Sequence, residues 1–152
     1  MSLVLYFDTS ALVKRYVREP GSSDVTLLWR SAHLVGTSVI ARVEIEAALA
    51  KYVRMNLLSV ENAYLALAQF QAEWESLIHL KLTYDVTELA SELVWQHGLR
   101  GYDAVHLATA LVWQQRIRRP VTFATFDKKL WLAASAAQLK PFPEDLTPFL
   151  RL

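Results

Sequence analysis

Two aspartates stand where a parallel α/β protein would place a shared site. The apolar strands predicted over 3–8 and 121–127 end on Asp8 and Asp127. Apolar runs of this length, with turn or helix signals behind them, are typical of strands buried on both faces of a parallel sheet. Ligands of open α/β sheets bind beyond the carboxyl ends of the strands. We therefore expect the two acids, which come from opposite ends of the chain, to share one anionic site.

Two further acids map to the same rim of the predicted sheet. Asp103 lies two residues after Gly101 at the start of a predicted helix, and Glu44 lies near the second turn of the helix after the second strand. The neighbours of Glu44 are mostly apolar, and an unpaired carboxylate in such a setting is unfavourable. Glu46, two positions on, is about 200° further round the helix and should face elsewhere.

A cluster of these acids would require a bound cation. Two carboxylates 4 Å apart repel by about 4 kcal/mol at an effective dielectric constant of 20, so three or four stay ionised only beside a cation. Oxygen ligands without His or Cys suit Mg²⁺ or Mn²⁺ rather than zinc. Taken singly, each aspartate can equally be a helix N-cap, worth about 1 kcal/mol, and Glu44 an ordinary surface residue.

The composition is that of one folded domain spanning 1–152. Hydrophobic residues make up 53% and charged residues 20% of the 152, which excludes a disordered chain. Sixteen basic residues nearly balance fifteen acidic ones, so any basic surface must be local. The absence of cysteine excludes disulfides, thiolate zinc sites and a cysteine nucleophile. With neither a membrane-length apolar run nor a signal peptide, we expect a cytoplasmic protein.

The elements that position the acids alternate between strand and helix. Strands are predicted over 33–37 and 78–83 as well as at the two aspartates, and the segment 140–152 is predicted to be an irregular tail. Ser38 is a predicted N-cap for a long helix whose apolar positions Val39, Ile40, Val43, Ala47 and Ala50 fall at helical spacing. Other helices are predicted over 11–17, 24–32, after Ser59, and over 85–98, 103–116 and 127–137. The pattern favours a single α/β domain with a parallel sheet flanked by α-helices.

Four segments of the chain, 5–14, 38–44, 99–110 and 125–130, together resemble the four motifs of PIN-domain ribonucleases. Their order and spacing, and the chain length, are most similar to VapC-type toxins of type II toxin–antitoxin systems, up to about Leu139. The resemblance implies a parallel sheet, an acidic Mg²⁺ site that cuts RNA, a homodimer and a cognate antitoxin. The matching acids are Asp8, Glu44, Asp103 and Asp127, and Thr125 stands at the family's hydroxyl position.

The expected activity is that of a metal-dependent endoribonuclease. A divalent ion held by Asp8, Asp103 and Asp127 would neutralise a phosphate oxygen and lower the pKa of a water. Glu44 would be a further ligand or a base that orients this water. Hydroxyls of Thr9, Ser10 and Thr125 are predicted to donate hydrogen bonds to the carboxylates or the water, with roles as helix caps and strand hydroxyls equally open. A nuclease of RNA maturation and a non-catalytic RNA-binding module are the alternative functions.

Basic residues lie near each acid in the sequence and are predicted to bind RNA. Such residues offset the repulsion between phosphate and the acids and give salt-dependent affinity. The candidates are Lys14, Arg15, Arg18, Arg100 and Lys128. His106, one turn after Asp103, is predicted to be a packed, hydrogen-bonded core histidine, because its helical neighbours are apolar.

Overall fold

The computed structural model describes residues 2–150 and has a five-stranded sheet with helices on both faces. Its strands are β1 (Leu3–Phe7), β2 (Ala32–Ser38), β3 (Ile78–Leu80), β4 (Val121–Ala124) and β5 (Lys140–Phe142). Its helices are α1 (Thr9–Leu12), α2 (Ser22–Arg30), α3 (Ala41–Arg54), α4 (Val60–Trp74), α5 (Tyr84–His97), α6 (Gly101–Ile117) and α7 (Lys128–Ala136), and 3₁₀ turns span Val13–Arg15 and Thr147–Phe149. Within 2–150, no helix is long and apolar enough to cross a membrane.

The strand order is β3-β2-β1-β4-β5, and every neighbouring pair is parallel, which confirms the predicted fold class. Alternate side chains of β1 enter two separate cores. Val4 and Tyr6 pack with α5, α6 and α7, whereas Leu5 and Phe7 pack with α1, α3 and α4. Burial on both faces explains why this strand reads as an uninterrupted apolar run.

The neighbouring strands β1 and β4 end together. Phe7 pairs with Ala124, and the backbone N–H of Asp8 donates to the carbonyl of Ala124 at 3.1 Å. The chain therefore leaves β1 and β4 side by side. This pairing delivers Asp8 and the segment from Thr125 to Asp127 to one edge of the sheet.

Most of the apolar positions that fall at helical spacing in α3 do not form its buried face. Val39, Val43, Ala47 and Ala50 are exposed, while Ala41, Ile45 and Leu49 are buried. The helix begins at Ala41 rather than after a Ser38 cap, because Ser38 ends β2 and the N–H of Val39 donates to the carbonyl of Leu80. The α3 sequence carries apolar residues on two stripes, so helical spacing alone favoured neither.

The predicted irregular tail was also wrong in part. Residues from Lys140 to Phe142 pair in parallel with β4, and the carbonyl of Phe142 accepts from the N–H of Thr125 at 3.0 Å. Pro141 is tolerated because β5 is an edge strand, where one ladder donor is not needed. A 3₁₀ turn follows, and residues 151 and 152 lie outside the described part. The added strand fixes the end of β4 next to Thr125.

Candidate active site

Four carboxylates line one small cavity at the carboxyl edge of the sheet. The cavity measures about 110 Å³, and its acids come from the ends of β1 and β4 and from the first turns of α3 and α6. The structure thus brings together all four acids singled out in the sequence. The lining residues are Asp8, Thr9, Ser10, Glu44, Arg100, Tyr102, Asp103, His106 and Asp127.

Asp8 is a buried acid held by several donors. Its Oδ1 accepts from the N–H of Ala11 at 2.9 Å, so the side chain caps α1. The hydroxyls of Ser10 and Thr125 donate to it at 2.8 and 2.6 Å. Burial nevertheless raises the pKa of Asp8 to about 6, against the effect of these bonds. The cap interpretation is therefore correct for Asp8 and does not exclude a site: this carboxylate gains from any cation that reaches it.

Glu44 is half-buried and held through one oxygen. Its Oε1 accepts from the hydroxyl of Thr9 at 2.8 Å and lies 2.6 Å from Nε2 of His106. Burial opposes ionisation of Glu44, but the contacts with His106 and Thr9 outweigh it and lower the pKa of this carboxyl. Glu44 is therefore ionised at neutral pH.

Asp103 and Asp127 share the guanidinium of Arg100. Nε of Arg100 donates to Oδ2 of Asp103 at 3.0 Å, and Nη2 lies 3.6 Å from Oδ2 of Asp127. Burial raises the pKa of Asp103, and the Arg100 contact opposes that rise. Arg100 itself is largely exposed and lies over the ring of Tyr102, 4.9 Å from its centroid. An exposed cation of this kind is easily exchanged for another.

Three hydroxyls orient the acids. Thr125 donates to Asp8 and accepts from the N–H of Asp127 at 3.1 Å, so it links the carboxylate of Asp8 to the backbone of Asp127. Ser10 donates to Asp8 and accepts from the N–H of Phe126 at 3.0 Å. Asp127 in turn caps α7. These bonds place Thr9, Ser10 and Thr125 directly behind the carboxylates.

The donor set fits a hard divalent cation. Within 2–150, no group of three or more His, Asp or Glu side chains stands ready-made as a metal site. The carboxylates instead contact other groups. Arg100 contacts both Asp103 and Asp127, and the Asp8 oxygens accept hydrogen bonds from Ser10 and Thr125. Four carboxylates around one cavity still offer only oxygen ligands of the kind that Mg²⁺ and Mn²⁺ prefer. An ion held through Oδ2 of Asp103 or Asp127 would compete with Arg100.

The five basic residues singled out in the sequence separate into two groups. Lys14 forms an ion pair with Glu19 at 3.0 Å, and Arg15 forms one with Glu73 at 2.6 Å. These two cations are therefore committed to contacts that hold the segment after α1 in place. Arg18 and Lys128 are exposed and, among residues 2–150, form no ion pair. Of the five, only Arg100 lines the cavity.

His106 is the site residue whose position the sequence indicated only weakly. It is buried and hydrogen-bonded, as predicted, but its partners are Tyr6 and the site acid Glu44. The available signal was its position three residues after Asp103, which places both on one helix face. Tyr6, which contacts His106, and Tyr102, which lines the cavity, were not indicated by any spacing in the sequence.

The chain belongs to the PIN-domain family, whose model matches residues 5–136. More narrowly, it is similar to Ribonuclease VapC45 of Mycobacterium tuberculosis (strain CDC 1551 / Oshkosh), with 35% identity over 145 residues, or 95% of this chain and 99% of the relative. These findings confirm the resemblance to VapC-type PIN-domain ribonucleases.

Solved structures share the fold. FitAcB from Neisseria gonorrhoeae matches with a TM-score of 0.63 and 18% identity, covering 91% of this chain and 96% of that one. A toxin–antitoxin complex from Klebsiella pneumoniae matches with a TM-score of 0.59 and 18% identity, covering 84% and 89%. At these identities the likeness concerns the architecture alone.

Proposed function

We propose that the protein is a Mg²⁺-dependent endoribonuclease that hydrolyses RNA phosphodiester bonds as the toxin of a type II toxin–antitoxin pair. One observation carries the proposal: four acids from four separate segments line one cavity in a PIN-domain chain. The relative named as a ribonuclease matches nearly the full length of the chain, which supports the same chemistry here. Mn²⁺ would serve as an alternative to Mg²⁺.

Each acid has a proposed role that its contacts support. Asp8, Asp103 and Asp127 would hold the ion, and Glu44 would ligate with them or orient water. The bound ion supplies positive charge to a phosphate oxygen and acidifies a water. Glu44 is ionised at neutral pH and can accept a proton from that water. Thr125 ties the carboxylate of Asp8 to the backbone of Asp127.

RNA would be held by exposed cations at the mouth of the cavity. Arg100 lies at the cavity, and Lys128 directly follows Asp127. Phosphate is drawn to such groups, and the affinity falls with salt. Arg18 is exposed, whereas Lys14 and Arg15 pair with Glu19 and Glu73 and would have to exchange these carboxylates for phosphate, as Arg100 would have to exchange Asp103 and Asp127.

A cognate antitoxin and a second copy of the chain are the proposed protein partners, in the cytoplasm. One solved structure of the same fold is described as a toxin–antitoxin complex. Large apolar side chains on α3 and α4, including Val43, Tyr64 and Leu65, are more than two-thirds exposed. Exposed apolar surface of this kind is typical of protein interfaces.

The proposed cleavage is tested with two glutamates of one helix. Wild type should cut a total tRNA and rRNA pool into discrete products with Mg²⁺, and EDTA should abolish the cutting. Glu44→Gln should lower the rate by about 100-fold or more, the range for losing a positioned acid–base group. Glu46→Gln, a matched control on an exposed part of α3, should leave the rate unchanged.

Three other outcomes would redirect the proposal. Equal cleavage by the two variants would show that the site lies elsewhere or that a contaminant cuts. RNA binding without cleavage, unchanged by EDTA, would favour a non-catalytic RNA-binding module. Cleavage without toxicity on expression, or toxicity that no small neighbouring gene product relieves, would favour a nuclease of RNA maturation.

Arg100→Gln should shift metal and RNA binding in opposite directions. Removing the guanidinium frees Asp103 and Asp127, so Mn²⁺ affinity should rise by about 2- to 5-fold, which corresponds to the strength of an exposed ion pair. RNA affinity should fall, and the slope of log affinity against log salt should drop by about 1. Electron paramagnetic resonance of free Mn²⁺ and filter binding at several NaCl concentrations measure the two effects.

The exposed Arg42→Gln is the control for both measurements. Unchanged Mn²⁺ affinity in Arg100→Gln would show that Arg100 does not compete with the ion.

A further inference from the structure

A buried chain of hydrogen bonds connects the interior of β1 to the cavity. The hydroxyl of Tyr6 lies 2.7 Å from Nδ1 of His106, and Nε2 of His106 lies 2.6 Å from Oε1 of Glu44. Tyr6 is fully buried, and His106 is 1% exposed. Water therefore does not reach Tyr6 or His106, and each of these two groups depends on its neighbour in the chain.

The chemistry of the partners fixes the direction of these bonds. A carboxylate only accepts, so the 2.6 Å contact requires a proton on Nε2 of His106. In the neutral imidazole, Nδ1 then carries a lone pair, and the Tyr6 hydroxyl is positioned to donate to it. The opposite tautomer would set the Nε2 lone pair against the carboxylate. Tyr6 thus selects the tautomer that serves Glu44.

The aromatic contacts hold the imidazole in this orientation. The Tyr6 ring stacks on Phe123, with centroids 5.3 Å apart and 5° between the planes. His106 meets the edge of Tyr6 at 5.8 Å and 72°. Because β1, β4 and α6 supply these three rings, the position of Nε2 is set by the core of the protein.

Both bonds to Glu44 end on the same oxygen. Oε1 accepts from His106 and from the hydroxyl of Thr9, whereas Oε2 accepts no hydrogen bond from residues 2–150. We propose that Tyr6 and His106 are positioning residues of the nuclease: they hold Oε1 of Glu44 and so keep Oε2 available for water or a divalent cation in the cavity. The inference rests on the proposed function and assigns the histidine a role beyond core packing.

The test uses variants that separate the packing of the His106 side chain from the hydrogen bond that it donates to Glu44. His106→Leu fills the space without a donor, and His106→Gln supplies an amide N–H in place of Nε2–H. Tyr6→Phe keeps the ring and removes only the hydroxyl. His33→Leu, at an exposed histidine, is the control.

His106→Leu should lower kcat by about 10- to 100-fold with little change in KM for RNA, and should weaken Mn²⁺ binding by a comparable factor. His106→Gln should recover most of both losses, and Tyr6→Phe should give an intermediate loss. Nitrogen-15 NMR of the histidine rings, without metal or RNA, should show the His106 proton on Nε2 in wild type. In Tyr6→Phe the Nδ1-protonated form should gain population.

The outcomes separate this inference from the proposed nuclease function. If wild type cuts RNA and a folded His106→Leu matches its kcat and Mn²⁺ affinity, the positioning role is overturned while the nuclease stands. If wild type cuts no RNA but His106→Leu still weakens Mn²⁺ binding and His106→Gln restores it, the positioning role stands without the nuclease. A wild-type His106 with a proton on Nδ1 and none on Nε2 overturns the inference by itself, even if both His106 variants fail to fold.

Discussion

Asp8→Asn should remove RNA cleavage and, in the same protein without metal, raise thermal stability. The activity should fall by about 100- to 1000-fold, the range for losing one preorganised electrostatic contact. The stability should rise because burial holds the pKa of Asp8 at about 6, well above its ordinary 3.8. Above pH 6 the folded protein therefore carries a buried charge that is disfavoured by up to about 3 kcal/mol. Asparagine is neutral and removes that penalty.

The gain should be smaller than the full penalty. Asparagine still accepts from the N–H of Ala11 and the hydroxyl of Ser10 through Oδ1, but these bonds lose their charge, and its amide nitrogen cannot accept the bond that Thr125 donates to Oδ2. A net gain of about 1–2 kcal/mol is expected, or roughly 2–8 °C in Tm for a chain of this size. Melting at pH 7.5 in EDTA measures it.

The exposed Asp85→Asn, at the start of α5, should change neither activity nor Tm appreciably and serves as the control. A lower Tm for Asp8→Asn would mean that the capping bonds outweigh the buried charge. Retained cleavage would exclude Asp8 from the site.

The positions of the four acids could be predicted because strand ends and helix starts are local features. The apolar runs of β1 and β4 are strong signals, since both strands are buried on both faces. In a parallel sheet the residue after each strand lies on one edge, so Asp8 and Asp127 follow directly from their places in the sequence. Glu44 and Asp103 follow from the first turns of α3 and α6.

The features that were wrongly predicted all depend on contacts with residues distant in the sequence. Helix α3 carries two apolar stripes, and the position of its first turn after β2 decides that Ile45 rather than Val43 is buried. The strand at Lys140–Phe142 is short and contains proline, and it forms because β4 presents a free edge. Neither the buried face of α3 nor the formation of β5 can be inferred from the local sequence.

The same distinction applies within the site. The contact between Glu44 and His106 joins positions 62 residues apart, and that between Tyr6 and His106 joins positions 100 apart. The local sequence around His106 correctly indicates burial, but the identity of its partners depends on how α3, α6 and β1 pack together. Ion pairing of Arg15 with Glu73 is a contact of the same long range.

Stabilisation by Mn²⁺ should depend steeply on pH. In the metal-free protein the pKa of Asp8 is raised in the folded state, so the unfolded chain loses its proton first, from about pH 4. The Asp8 contribution to folding stability therefore falls as the pH rises from about 4 to 6, and the loss is complete above pH 6. Burial raises the pKa of Asp103 in the same direction. A divalent cation binds the ionised carboxylates, so its binding strengthens across this interval.

Melting curves at pH 5.0 and 7.5, with EDTA or with MnCl₂, measure the effect. At a free Mn²⁺ concentration about 100 times Kd, ligand binding adds about 2.7 kcal/mol, which corresponds to a Tm rise of roughly 5–11 °C at pH 7.5. The same concentration at pH 5.0 should give a rise about half as large, because protons then occupy most of Asp8 and weaken the apparent affinity about tenfold. In Asp8→Asn the rise should be small at both pH values, whereas Asp85→Asn should behave like wild type. A rise of equal size at both pH values would place the ion on exposed carboxylates, since those are already ionised at pH 5.0, and would exclude the buried acid as its ligand.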